Sequence, residues 1–78
     1  MATYTAELGD TVVIMKAGGR CEVNVKTAEG WEGFRSDLHD ADTAWEVARM
    51  KLVETKGQKV WCRLESEPES AIRPYQPS

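Results

Sequence analysis

The sequence has little of what most enzymes and membrane proteins require. It contains one histidine and two cysteines among 78 residues. No apolar run approaches the roughly 18 residues that a membrane-spanning helix needs, and the N-terminus lacks the basic and apolar regions of a signal peptide. The sequence also has no glycine-rich phosphate loop and no Gly-x-Ser-x-Gly or His-Glu-x-x-His pattern. We therefore expect a cytoplasmic protein that is not an enzyme and binds no cofactor.

The two cysteines, Cys21 and Cys62, both lie in alternating apolar patterns that are typical of strands. A small secreted domain usually carries four or more cysteines. The sequence therefore favours two reduced cysteines in the core, and one disulfide between neighbouring strands is the alternative. We expect no metal site, because there is no Cys-x-x-Cys spacing and His39 is distant in sequence.

The length and charge of the chain limit its domain count and its partners. A chain of 78 residues has room for one domain. The net charge is -3, but residues 1–48 carry -5, residues 49–64 carry +4 and residues 65–78 carry -2. An acidic total argues against a general nucleic-acid binder, whose affinity comes mainly from cations on phosphates. It is compatible with binding to a basic protein surface.

The first half of the chain predicts three strands joined by tight turns. Residues 11–16 are rich in β-branched side chains, residues 20–26 alternate apolar and polar, and residues 31–36 form the third strand. Glycine-containing turns at 17–19 and 27–30 join them. Gly33 is a candidate bulge or a point of close backbone contact.

The second half predicts one amphipathic helix over residues 41–56. Its apolar stripe follows the helical period and consists of Ala41, Ala44, Trp45, Ala48 and Leu52. Asp40 and Thr43 are competing N-caps, and Gly57 is predicted to end the helix with a positive φ. Val47, Met50 and Val53 point away from this stripe, either as scattered surface residues or as part of a binding patch.

A fourth strand over residues 58–64 completes the predicted fold. We expect an α+β fold with two layers, in which one helix packs on one face of a mainly antiparallel four-stranded sheet in the order β-β-β-α-β. The position of the last strand stays open, beside the first strand or at an edge. Residues 1–65 form the predicted domain, and residues 66–78, with three prolines, are predicted to be an extended or disordered tail.

One helix covers one face of a sheet, so the other face is the predicted partner-binding surface. Aromatic residues and arginine are enriched at interface hot spots. The residues predicted for this surface are Trp31, Arg35, Lys59, Trp61 and Arg63. The alternative is that the N-terminal residues or the tail fold over this face and bury both tryptophan rings.

Acidic residues cluster just before the helix, at Asp37, Asp40 and Asp42. Carboxylates at a helix start are usually turn formers and caps, which the helix dipole favours. The alternative is an acidic display, in which spaced carboxylates imitate nucleic-acid phosphates and occupy a basic groove.

The layout of residues 11–64 resembles small phage-encoded anti-CRISPR proteins. The resemblance lies in the apolar run at 11–14, the alternating segment 21–26, the glycine turn and the alanine-rich helix that ends before Val60. It implies a non-enzymatic inhibitor in the host bacterial cytoplasm. Such an inhibitor docks on a subunit of a CRISPR effector complex and blocks DNA binding or nuclease recruitment. The resemblance carries no functional residue over by motif.

The sequence thus predicts a small binding protein that inhibits a larger host complex by occupying its surface. Two alternatives remain. The first is a nucleic-acid-binding module that uses the same aromatic and basic face. The second is a homodimer that buries this face against its own copy.

Overall fold

A computed structural model describes residues 4–76 and shows an α+β fold with a single α-helix. The strands are β1 (Thr11–Met15), β2 (Cys21–Thr27), β3 (Gly30–Leu38), β4 (Val60–Leu64) and β5 (Arg73–Pro74). They form one sheet in the order β3-β2-β1-β4-β5. The helix, α1 (Ala41–Thr55), lies between β3 and β4 in sequence.

The sheet is mixed, because the crossover through α1 returns the chain in the direction of β1. β1–β2, β2–β3 and β4–β5 are antiparallel, whereas β1 and β4 are parallel with Thr11 opposite Val60. The prediction of one helix packed on a mainly antiparallel sheet is confirmed in kind. The predicted count of four strands is wrong, because a fifth strand forms from the tail. β4 lies beside β1, which was one of the two predicted positions.

Helix α1 begins after a capping aspartate and ends at Thr55, one residue before the predicted last residue, 56. The carboxylate of Asp40 accepts hydrogen bonds from the Thr43 N–H at 2.7 Å and from the Thr43 hydroxyl at 3.1 Å. Asp40 is therefore the N-cap, and Thr43 is its donor.

Among the described residues, no helix has the length and hydropathy needed to cross a membrane.

The residue with a positive φ at the end of α1 is Lys56, at 60°. The prediction that Gly57 would have this positive φ was wrong. Gly57 is required for a different reason. A Cβ at this position would collide with the carbonyl of Gly9, and a Cβ on Gly9, which has a φ of 89°, would lie 2.7 Å from the Thr55 oxygen. The two glycines thus let the N-terminal segment cross closely against the end of the helix.

The larger core lies between α1 and the sheet. Ala44 and Ala48 are fully buried, and the Thr11 hydroxyl donates a 3.1 Å hydrogen bond to the Ala48 carbonyl. Small side chains allow this close approach of helix and strand. The sheet residues in this core are Val13, Cys21, Val23, Leu38, Val60 and Cys62.

A second core lies on the opposite face of the sheet, where the sequence predicted an open surface. Val12, Ile14 and Trp61 form its floor, and Ala6 from the N-terminal segment and Ile72 from the tail pack on them. Segments that precede β1 and follow β4 therefore both help to cover this face. This arrangement is the predicted alternative to an open partner-binding face.

The predicted tail is part of the domain over its described residues, so the predicted boundary at residue 65 needs correction. Residues 73 and 74 pair with β4, and Ile72 is buried. The Tyr75 ring stacks on Trp45 with 5.0 Å between centroids, and its hydroxyl donates to the Ala41 carbonyl at 3.4 Å. The end of the predicted tail, residues 77–78, lies outside the described residues.

The two cysteines are free and buried. Cys21 is on β2 and Cys62 on β4, and β1 lies between these strands. Strands two apart are separated by about 9–10 Å, beyond the reach of a disulfide. Burial raises the pKa of both thiols, so neither has the thiolate character of a reactive cysteine.

Asp10 is completely buried, and its carboxylate joins three parts of the chain. One oxygen accepts hydrogen bonds from the backbone N–H groups of Gln58 at 2.6 Å and Lys59 at 3.0 Å. The other accepts from the Glu7 N–H and from the Trp61 indole N–H, both at 2.9 Å. Burial raises the pKa of Asp10, but the bond from Trp61 and the three backbone bonds outweigh it and hold this pKa below its usual value.

Replacing Asp10 with asparagine should lower the free energy of unfolding by about 3 kcal/mol. The amide group turns a donor toward N–H groups that now bond to a carboxylate. Urea denaturation measures the change, and Asp42→Asn, an exposed carboxylate, is the matched control. Equal stability of the two variants would contradict the role given to Asp10.

The Asp10 carboxylate should also make the fold sensitive to acid. Because its folded pKa lies below the value of about 3.9 in an unfolded chain, its stabilising contribution is complete above that value. It is lost as the pH falls further through the folded pKa. Urea midpoints between pH 5 and pH 2 should fall more steeply for the parent chain than for Asp10→Asn. Parallel profiles would rule out this linkage.

Truncating Ile72 to alanine should cost about 2–3 kcal/mol of stability, because the side chain is buried in the second core. Gln76→Ala, at an exposed position of the same segment, should change stability by less than about 0.5 kcal/mol. Thermal or urea denaturation distinguishes them. If Ile72→Ala left the free energy of unfolding unchanged, the tail would not be part of the folded domain, as the sequence predicted.

Candidate protein-binding site

Trp61 faces away from α1 as predicted, but it is only 4% exposed and cannot contact a partner. The Tyr4 ring packs against it with 5.5 Å between centroids, and Asp10 accepts its indole hydrogen. Trp31 lies on the same face and is half-buried at the edge of the second core. The predicted aromatic surface is therefore mostly interior.

Arg35 lies on the other side of the sheet from Trp61, contrary to prediction. It is opposite Val23, whose side chain belongs to the core under α1. The next pair is Asn24 with Gly33, so Phe34 has no partner and forms a β-bulge. A bulge shifts the alternation by one residue and turns Arg35 to the helix side. The prediction that Gly33 marks an irregularity pointed to this place.

The two remaining predicted contact residues are partly engaged with their own chain. The Arg63 guanidinium donates to the carbonyls of Leu64 at 3.1 Å and Glu67 at 2.9 Å, where it holds the turn after β4. The Lys59 ammonium lies 5.2 Å from the Trp61 ring centroid. Together with Trp61 and Arg35, these residues do not form one surface, so the predicted site needs correction.

The three acidic residues have separate local environments. Asp40 caps α1, and the hydrogen bonds from Thr43 hold the pKa of its carboxyl below the usual range. Asp42 is exposed in the first turn of α1, where the dipole favours an acid. Asp37 is exposed with a φ of 61°, at a second irregularity in β3. This geometry is what capping and turn formation require, and the acidic display stays a prediction.

A different surface lies where α1 meets β3. Phe34 is 42% exposed, Met50 68% and Val53 75%. Val47, which is half-buried, and Val53 lie one helical turn before and after Met50, and Val47 and Met50 line a recess with Phe34. We call these four residues the α1–β3 surface. Helix α1 lies mainly over β1 and β2, so β3 extends beyond its cover. The surface therefore exposes apolar side chains on two rigid elements.

The α1–β3 surface includes a groove with two recesses on either side of Phe34. The Lys51 ammonium lies 4.4 Å from the Phe34 ring centroid and pairs with Glu54 at 2.9 Å. One recess, of about 250 Å³, is lined by Val25, Thr27, Glu32, Gly33, Phe34, Lys51 and Thr55. The other, of about 220 Å³, is lined by Phe34, Arg35, Val47, Met50, Lys51 and Glu54.

The helical half of this surface could be predicted from the sequence, whereas the strand half could not. Val47, Met50 and Val53 depart from the apolar stripe of the helix, which is visible in the sequence. Phe34 gave no signal of exposure, because a phenylalanine in a strand pattern is usually interior. Only the bulge and the offset of α1 leave it uncovered.

No group of three or more histidine, cysteine or acidic residues among residues 4–76 is placed to hold a metal ion.

The apolar groove with a few charges at its rim is suited to binding another molecule by burial of apolar area.

Comparison with protein-family models, with curated proteins and with solved structures finds no match for this chain.

Alanine substitutions should separate the predicted surface from the α1–β3 surface. Trp61→Ala removes a buried ring and a hydrogen bond to Asp10, so it should cost about 3–5 kcal/mol. Met50→Ala, at an exposed helix position, should stay within about 0.5 kcal/mol of the parent chain. Denaturant unfolding measures both. If Trp61→Ala were as stable as Met50→Ala, the ring would not belong to the core.

Proposed function

We propose that this chain is a small non-enzymatic binding protein that acts by covering a surface of a partner protein. The observation that carries the proposal is the α1–β3 surface, where Phe34, Met50 and Val53 are exposed on neighbouring elements. Exposed apolar groups beside a groove favour association, because burial of their area against a partner is stabilising.

The charges at the rim of this surface support a protein partner over nucleic acid. In the groove, Lys51 pairs with Glu54 at 2.9 Å, and Arg49, which lines neither recess, pairs with Glu46 at 3.0 Å. Cations that already have carboxylate partners are poorly suited to neutralise phosphates, and the whole chain is acidic. Charges of both signs, including Glu32 and Arg35 with no ion pair among residues 4–76, lie around an apolar centre, as at the rim of a protein interface.

In its most specific form, the proposal is that the chain inhibits a host complex, as the resemblance to small phage-encoded anti-CRISPR proteins implies. The partner would then be a subunit of a CRISPR effector. The α1–β3 surface would replace the aromatic face as the contact that blocks DNA binding or nuclease recruitment. This form rests on the resemblance of residues 11–64, and its test is a phage-plaquing assay in CRISPR-active bacteria.

Capture from a nuclease-treated bacterial lysate should depend on the α1–β3 surface. A tagged parent chain should retain a stoichiometric protein that the double variant Met50→Lys, Val53→Lys loses by at least tenfold, as read by mass spectrometry. Both side chains are exposed, so the variant should remain folded.

The matched control is Leu64→Lys, which introduces the same charge at a 44% exposed leucine on β4. This variant should capture the same protein as the parent chain. Equal capture by all three proteins would contradict the proposed surface. A chain that captures only its own copies would support the homodimer in place of a host complex.

A further inference from the structure

The two edges of the sheet are protected to different degrees. β5 has two residues, and one is Pro74, which has no backbone N–H to offer. β3 has nine residues and pairs only with β2 in the described part of the chain. An unpaired edge of this length is a template on which another chain can add a strand.

The β-bulge sets the spacing that an added strand would meet. Glu32 is opposite Val25, and Arg35 is opposite Val23. Glu32 and Arg35 are thus three positions apart on β3, whereas their partners on β2 are two positions apart. Val23 packs in the core under α1, which places Arg35 on that side, and Glu32 lines a recess there with Lys51. A regular strand added to this edge would place residue i opposite one of them and residue i+2 opposite the other. Residues i and i+2 of a strand point to the same side of the sheet.

The two recesses select different side chains. The recess at Arg35 is walled by Phe34, Val47 and Met50 and suits a large apolar group. The recess at Glu32 also has a largely apolar lining, which includes Val25 and Phe34, and Glu32 is the one acidic residue in it. No ion pair involves Glu32 among residues 4–76, whereas Lys51 in the same recess is paired with Glu54. A cationic side chain complements this recess.

We propose that the partner supplies an extended segment that adds to the edge of β3 along residues 30–35. The segment runs antiparallel to β3, with a large apolar residue opposite Arg35 and a lysine or arginine opposite Glu32. From its N-terminus it therefore reads apolar, any residue, basic. Pairing ends before Asp37, whose φ of 61° and shifted register break the strand edge. This inference rests on the proposed protein-binding function and names its mode of recognition.

The test is an NMR titration of the full chain with the synthetic peptide acetyl-Thr-Thr-Leu-Thr-Lys-Thr-Thr-amide. Backbone amide signals of residues 30–35 should shift, together with those of residues 47–54. The control is the same peptide with two consecutive backbone nitrogens methylated. Alternate N–H groups of a strand point toward its neighbour, so one of the two methylated groups would have bonded to β3. This peptide should therefore bind at least tenfold more weakly. Equal binding of the methylated peptide would overturn strand addition.

A charge exchange tests the basic position. Glu32→Lys should weaken binding of the Leu-Thr-Lys peptide by at least fivefold and should bind a Leu-Thr-Glu peptide more tightly than the parent chain does. Glu69→Lys, at an exposed site near the other edge, is the matched control and should keep the parent's preference. An unchanged preference in Glu32→Lys would overturn the assignment of Glu32.

The two proposals fail in different ways. If no peptide shifts the β3 amides at millimolar concentration while capture from lysate still depends on Met50 and Val53, strand addition is wrong and the protein-binding function stands. If neither the peptide nor the captured protein depends on the α1–β3 surface, both proposals are wrong.

Discussion

The buried carboxylate of Asp10 is the interaction on which the rest of the structure depends. It has no exposed surface, and four N–H groups from residues 7, 58, 59 and 61 converge on its two oxygens. A buried charge without partners would be strongly destabilising, so the groups that satisfy it are held in place. This network fixes the start of β1, the loop after α1 and the ring of Trp61 relative to one another.

The position of Trp61 then determines which surface is left for function. Because its indole N–H is bonded to Asp10, the ring is held against Tyr4, at an interplanar angle of 59°, and contributes to the second core. Residues that precede β1 and follow β4 cover this face, and α1 covers the central strands of the other. β3, at the edge, is the strand that neither layer covers well, and Phe34 is exposed there.

Much of the fold follows from local sequence patterns, and the parts that do not follow depend on contacts between distant residues. The alternation of residues 20–26 and the alanine stripe of the helix predict β2 and α1 with small boundary errors. The fifth strand was missed because Arg73 and Pro74 have no strand pattern, and only pairing with β4 makes them extended. Similarly, nothing near Asp10 in sequence identifies it as a buried hydrogen-bond acceptor.

The candidate site was predicted in part for the same reason. Strict alternation placed Trp31 and Arg35 on one face, and a single bulge at Phe34 separates them. The apolar residues that depart from the helical stripe were visible, because helical periodicity is a local property. Their strand neighbour was not visible, because its exposure depends on how far α1 reaches across the sheet.

Hydrogen-exchange mass spectrometry on the complex with the captured partner tests the central claim most directly. If the α1–β3 surface is the interface, exchange should slow at residues 30–35 and 46–54, and residues 4–10 should be unchanged. Protection confined to residues 37–42, or to the N-terminal segment over Trp61, would contradict the account.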